Sequence, residues 1–155
     1  MLTRTSPRQL LLLASLVAFA GCGPDLPAEF KGAVGVNSFV QSECGGTPEE
    51  GDQARVTFTR RDSAIQANLS EARFRCEQEV EGFVKVEEGT IQFLVQPVDM
   101  NPDAVAGCDC LYNVTMDVQE LEPDAYDVSL SVRGDKQSGQ EEPVELGSEK
   151  ILIDG

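Results

Sequence analysis

Alternation of apolar and polar residues is the sequence feature that most constrains the fold of this chain. It is clearest over residues 108–119 and 126–133, where nearly every second side chain is apolar. A period of two places the apolar side chains on one face of a β-strand and the polar ones on the other. From residue 22 onward, no segment repeats its apolar residues convincingly with the 3.6-residue period of a helix. The pattern therefore predicts strands.

Weaker alternation elsewhere predicts the remaining strands. The segments are 32–40, 55–59, 63–69, 74–86, 91–96 and 144–153. Eight or nine short strands separated by turn residues indicate an all-β protein, and we expect a two-sheet β-sandwich. Residues 87–90 predict a hairpin turn, since Gly89 can take a positive φ. Phe83 breaks the alternation beside Gly82, which suggests a bulge or a strand break there.

The two clearest strands are predicted to pair with each other. Residues 122–124, Glu-Pro-Asp, form a turn signal between them, so we expect a strand–turn–strand hairpin. The run from the Cys-x-Cys strand through Leu121 to Tyr126-Asp127-Val128 resembles a pattern in uncharacterised small bacterial lipoproteins. The hairpin is similar to the Leu-x-Pro-Gly-x-Tyr-x-Val hairpins of transthyretin-like and carboxypeptidase-regulatory-like sandwiches, with Asp124-Ala125 where those usually have glycine. The resemblance implies a β-sandwich and no activity.

The N-terminus follows the pattern of an exported protein. Arg4 and Arg8 form a positive start, residues 10–20 are almost entirely apolar, and small residues precede Cys22. A helix over that apolar stretch would reach only about 16 Å, roughly half of a hydrocarbon core, so it is too short to span a membrane. We expect residues 1–21 to be a cleaved signal peptide.

The cleavage site Phe19-Ala20-Gly21-Cys22 resembles the bacterial lipobox. That family prefers Leu at the position of Phe19, which is also apolar. The resemblance implies a diacylglycerol on the thiol of Cys22, often a further acyl chain such as palmitate on its amine, and a lipid anchor in the bacterial cell envelope. Gly23, in place of the Asp that retains such lipoproteins in the inner membrane, implies the outer membrane. The expected organisation is a signal peptide (1–21), a lipidated N-terminus with a short linker (22–29) and a β-sandwich (30–155).

Four further cysteines predict two disulfides, because an even number in an oxidising compartment favours bridges. They are Cys44, Cys76, Cys108 and Cys110. Positions i and i+2 of one strand are poorly placed for a bond, so Cys108–Cys110 is disfavoured. This leaves two sets: 44–108 with 76–110, or 44–110 with 76–108. The alternation places both Cys108 and Cys110 on the buried strand face. A four-thiolate zinc site would need Cys-x₂₋₄-Cys pairs, which these four cysteines do not form. A redox pair would need Cys-x-x-Cys at the start of a helix, whereas Cys108-Asp109-Cys110 lies in a predicted strand.

Composition excludes several functions. Loss of Arg4 and Arg8 with the signal peptide leaves 10 basic against 27 acidic residues, which changes the net charge from −15 to −17. Such a chain is repelled by phosphate backbones, so we expect no nucleic-acid binding, while cationic partners are favoured. The chain has no histidine, which removes the usual general base and every Ser-His or Cys-His arrangement. We expect no enzymatic activity and no cofactor.

A weak calcium motif lies in residues 97–107. Asp99, Asn101 and Asp103 have the alternate oxygen spacing of a calcium loop. Ala104 stands where an EF-hand needs glycine, and Cys110 where it needs glutamate. Two hypotheses result. The first is a membrane-anchored, non-catalytic envelope lipoprotein that binds a protein or envelope partner. The second is a lipoprotein that binds a small ligand or a cation such as calcium.

Overall fold

The computed structural model describes residues 23–103 and 107–154. The predicted signal peptide, Cys22 and positions 104–106 of the weak calcium loop lie outside these ranges. A short 3₁₀ helix covers Ala28–Phe30. The strands are β1 (Val34–Gly35), β2 (Ser38–Gln41), β3 (Arg55–Arg61), β4 (Ala64–Arg75), β5 (Val80–Glu87), β6 (Thr90–Pro97), β7 (Asp109–Val118), β8 (Ala125–Val132) and β9 (Val144–Leu152).

The strands form two sheets packed face to face, which confirms the predicted all-β sandwich. The five-stranded sheet has the order β1-β5-β6-β8-β9, and the four-stranded sheet the order β2-β7-β4-β3. Neighbouring strands are antiparallel except for β6 and β8, which are parallel. The core lies between the sheets and includes Phe93 and Leu130 from one sheet and Leu69 and Met116 from the other. Each of these buried side chains contributes about 1.5–3 kcal/mol to the hydrophobic stabilisation.

The predicted hairpin between the two clearest strands is wrong. β7 pairs with β2 and β4 in one sheet, whereas β8 lies between β6 and β9 in the other. Alternation shows only that each strand has an apolar face. Two strands joined by a corner between sheets bury their apolar faces as well as two strands joined by a hairpin do. At this corner the Tyr126 hydroxyl donates to the Glu122 carbonyl at 3.1 Å, as in the tyrosine corner of other sandwiches. Burial, with the nearby Asp124 and Glu122 carboxylates, raises the pKa of Tyr126 and keeps the hydroxyl proton in place.

The predicted bulge in β5 is also wrong, although the adjoining hairpin turn at 87–90 is confirmed. β5 pairs with β6 without a shift, and Gly89 has a φ of 70° in the turn. Phe83 instead points to the outer side of its sheet, where it packs with Leu94 and Phe30. Gly82 points to the core, where an added Cβ would lie 2.6 Å from Cδ2 of Phe39. Glycine is therefore needed there for close packing.

Candidate functional site at the disulfide pole

One end of the sandwich collects both disulfides, the buried ion pair of Arg75 and Asp135, the buried side chain of Arg133 and the start of the described chain. We call this end the disulfide pole. It consists of the loops 42–54, 76–79 and 133–143, the loop residues 98–103 and 107–108, and the N-terminal residues 23–27. The opposite end, the far pole, carries the hairpin turns 62–63 and 88–89 and the corner 119–124. The loops of the disulfide pole bring together side chains that are far apart in sequence.

The disulfides are Cys44–Cys110 and Cys76–Cys108, one of the two pairings left open by the sequence. Their Cα atoms are 5.5 and 5.6 Å apart. Both bridges lie along the four-stranded sheet. Cys76 lies opposite Cys108 just beyond the paired ends of β4 and β7, and its N–H donates to the Cys108 carbonyl at 3.0 Å. The bridges therefore join β7 to the chain segments on either side of it.

The expectation that Cys108 is buried is wrong, while Cys110 is buried as predicted. Cys110 is 5% exposed and faces the core with Tyr112. Cys108 precedes the first residue of β7, beyond the edge of the core, and is exposed. Cys44 is also exposed and Cys76 is half-buried. Each bridge thus joins an exposed cysteine to an inner one, and the two inner sulfurs, of Cys76 and Cys110, are 3.6 Å apart.

A buried ion pair joins the 133–143 loop to the end of β4. Asp135 is only 1% exposed, and its carboxylate contacts the guanidinium of Arg75. The same carboxylate accepts hydrogen bonds from the Gln78 side chain at 2.7 Å and from the N–H groups of residues 137 and 138 at 2.9 Å each. Its contacts come from two loops, so it fixes their relative positions.

Arg133 attaches the N-terminal segment to the sandwich. Its guanidinium donates to the Asp25 carbonyl at 2.6 Å, to the Glu141 carbonyl at 2.6 Å and to the fully buried Gln96 side chain at 3.3 Å. Further along, the carbonyl of Glu29 accepts from Lys85, and Phe30 is 2% exposed. The segment predicted as a linker is therefore packed on the outer face of the five-stranded sheet from Asp25 onward.

A cleft of 390 Å³ opens beside the buried ion pair. Arg73 and Arg75 lie on its wall, and Phe74 and Val132 contribute apolar surface. Both arginines are already paired, Arg73 with Asp109 and Arg75 with Asp135. The cleft can hold a small molecule or a side chain, but its charges are committed to each other, which suits binding better than acid–base chemistry.

Sequence reasoning missed the buried Asp135 with its partners Arg75 and Gln78. It also missed the buried Arg133. Arg75 and Asp135 are separated by 60 positions, and no local pattern couples them. Arg133-Gly134-Asp135 looks like an exposed turn in the sequence, yet both charged side chains are buried. One sequence signal could have indicated these buried charges. Arg133 is a charged residue that directly follows the alternating strand β8.

The predicted calcium ligands are placed in a loop held by other contacts. Asp99 Oδ1 accepts the N–H of Asn101 at 2.9 Å, a local turn interaction, and Asp103 is exposed. Within residues 23–103 and 107–154, no group of three or more His, Cys, Asp or Glu side chains could hold a metal ion.

We predict that calcium leaves the melting temperature of residues 23–155 unchanged. A cation that binds only the folded state must stabilise it, by about 2.7 kcal/mol at a concentration 100 times its dissociation constant. Thermal unfolding followed by circular dichroism, with millimolar calcium and with a chelator, measures this. Magnesium at the same ionic strength is the control, and a calcium-specific rise of several degrees that Asp99→Asn removes would contradict the prediction.

Comparison with protein-family models, with curated protein sequences and with solved structures finds no match for this chain. In the part of the chain that the structure describes, no helix has the length and apolar character needed to cross a bilayer.

Proposed function

We propose that the protein is a lipid-anchored, non-catalytic lipoprotein of the bacterial cell envelope, whose β-sandwich binds a protein or another envelope component. The lipobox resemblance at Cys22 and the signal-like sequence before it support the anchor. The observation that carries the proposal is the position of the first packed residues. The chain is bound to the sandwich from Asp25, only three positions after Cys22.

The short distance between the anchor and the domain defines an orientation. Three Cα–Cα steps of about 3.8 Å let the chain extend at most about 11 Å between Cys22 and Asp25. Asp25 belongs to the disulfide pole, because it contacts Arg133 just after β8. A lipid on Cys22 would therefore hold the disulfide pole near the membrane and turn the far pole away from it.

Charge favours the same upright arrangement. The exported chain carries a net charge of −17 once Arg4 and Arg8 are removed. Anionic headgroups repel acidic residues within a Debye length of about 8 Å, so the sandwich should not lie flat on the bilayer. The far pole and the sides of the sandwich are then the surfaces open to a partner.

Replacing Cys22 with serine should release the protein from the membrane and block processing. Serine offers no thiol for the diacylglycerol, so radiolabelled palmitate should not enter the variant, and the uncut signal peptide should remain. Fractionation and labelling of cells that express the full chain measure both effects. Cys44→Ser is the matched control and should keep its label. Palmitate incorporation into Cys22→Ser would disprove the anchor.

Photo-crosslinking tests the partner and the orientation together. A photoreactive residue at Glu88, exposed on the far pole, should form a discrete crosslink to an envelope component in intact cells. The same residue at Glu50, exposed in a loop of the disulfide pole, is the matched control and should give lipid or no crosslink. The reverse pattern would contradict the proposed orientation.

A further inference from the structure

We propose that the two disulfides form one thiol–disulfide exchange site. A dithiol that opens either bridge at its exposed cysteine triggers transfer of the remaining bridge onto the inner pair, Cys76–Cys110. The product has one internal disulfide and two exposed thiols, at Cys44 and Cys108. This goes beyond the anchoring and binding function and does not depend on it.

The geometry of the four sulfurs carries the proposal. The Sγ atoms of Cys76 and Cys110 belong to different bridges, yet they are 3.6 Å apart. Reacting atoms in a productive arrangement are about 3–3.5 Å apart, so little movement separates the two sulfurs from contact. The outer cysteines, Cys44 and Cys108, are exposed and can be reached by a thiolate from solvent.

The exchange is balanced in thiols and disulfides. A dithiol reductant attacks Cys44, and its second thiol then closes to form the oxidised reductant, which leaves Cys44 as a thiol and Cys110 as a thiolate. The Cys110 thiolate attacks Sγ of Cys76, the Cys76–Cys108 bond breaks, and Cys108 leaves as a thiolate that takes a proton from water. Attack at Cys108 leads to the same product, because the freed Cys76 thiolate then displaces Cys44 from Cys110.

The backbone around the bridges keeps the sulfurs in place when one bridge opens. The N–H of Gly45 donates to the Leu111 carbonyl at 2.8 Å, and the N–H of Leu111 donates to the Gly46 carbonyl at 3.0 Å. Cys76 and Cys108 are joined by their own backbone hydrogen bond at 3.0 Å. The new bridge spans 34 positions against 32 for Cys76–Cys108, so the two bridges restrict the unfolded chain to a similar degree.

Partial reduction of the processed protein tests the exchange. One equivalent of a trialkylphosphine opens one disulfide, consumes one water and becomes the phosphine oxide, so no external thiol is present to shuffle bonds. After equilibration at pH 8, acid quenching and alkylation, mass spectrometry should show the Cys76–Cys110 bond with label on Cys44 and Cys108. The control is the same reaction in denaturant, where pairings should be mixed. A singly reduced protein that keeps only native bridges would overturn the proposal.

A matched pair of variants gives an independent readout without a reductant. In Cys44→Ser, the free thiol should move from the buried Cys110 to the exposed Cys108. In Cys108→Ser, it should move from Cys76 to Cys44. Both variants should then react with a water-soluble alkylating agent in the folded state and contain the Cys76–Cys110 bond. Exclusive retention of Cys76–Cys108 in the first and Cys44–Cys110 in the second would show that the bridges do not exchange.

Discussion

Asp135→Ala should lower the free energy of unfolding by about 3–5 kcal/mol, because it leaves the Arg75 guanidinium with no anion in a mostly buried position. Asp135 is 1% exposed, and the side chain of Arg75 is 14% exposed. The substitution also removes the acceptor for two backbone N–H groups and for Gln78. Urea unfolding of residues 23–155, followed by circular dichroism, measures the change.

Asp109→Ala is the matched control for this prediction. Asp109 also pairs with an arginine of β4, Arg73, but those side chains are 36% and 66% exposed. An exposed ion pair contributes about 0–1 kcal/mol, so the control should be close to the unsubstituted protein. Asp135→Asn should fall between the two, since it keeps one of the two acceptor oxygens and loses the other together with the charge. Equal losses for Asp135→Ala and Asp109→Ala would mean that burial of the pair contributes nothing.

Most strands could be located from the sequence, whereas their pairing could not. The predicted segments 32–40 and 74–86 each divide between two strands that belong to different sheets. Alternation depends on which face of a strand is buried, and β7 and β8 show this clearly. It carries no information about the partner strand, because a hairpin and a corner between sheets bury the same residues. Phe83 shows a second limit. It breaks the alternation because the 3₁₀ segment at Phe30 covers the outer face of its sheet, and no local pattern reveals that cover.

Only the part of the candidate site that residue type alone identifies, the four cysteines, could be predicted from the sequence. Four cysteines in a chain with a predicted signal peptide predicted two bridges, and the disfavoured Cys108–Cys110 bond reduced the pairings to two sets. Choosing between them requires the positions of Cys44 and Cys76 beside β7, which are set by tertiary structure. The contact between Arg75 and Asp135 is also set by tertiary structure, since the partners are separated by 60 positions in the sequence. The lipid anchor at Cys22 stays a prediction, because it lies outside the described residues.

Complete reduction of the two disulfides should have the largest effect on stability. The bridges span 66 and 32 positions, and restriction of the unfolded chain by loops of this size contributes about 4 kcal/mol each when they act independently. The loop closed by Cys76–Cys108 lies within the loop closed by Cys44–Cys110. The combined loss of stability should therefore be smaller than the sum of the two separate losses. A domain of this kind has a total stability of about 5–15 kcal/mol, so the reduced protein should be close to unfolding.

Comparison of bridge-deleted variants separates the two contributions. The double variants Cys44→Ser/Cys110→Ser and Cys76→Ser/Cys108→Ser each remove one bridge and leave no thiol to exchange. The first should be the less stable by about 0.6 kcal/mol, because its loop is about twice as long. Urea unfolding of both, beside the oxidised protein and the fully reduced and alkylated protein, measures the order. If full reduction lowers the stability by less than about 1 kcal/mol, the hydrogen bonds between β7 and its neighbours hold the pole without the bridges, and the structural role assigned to the disulfides is wrong.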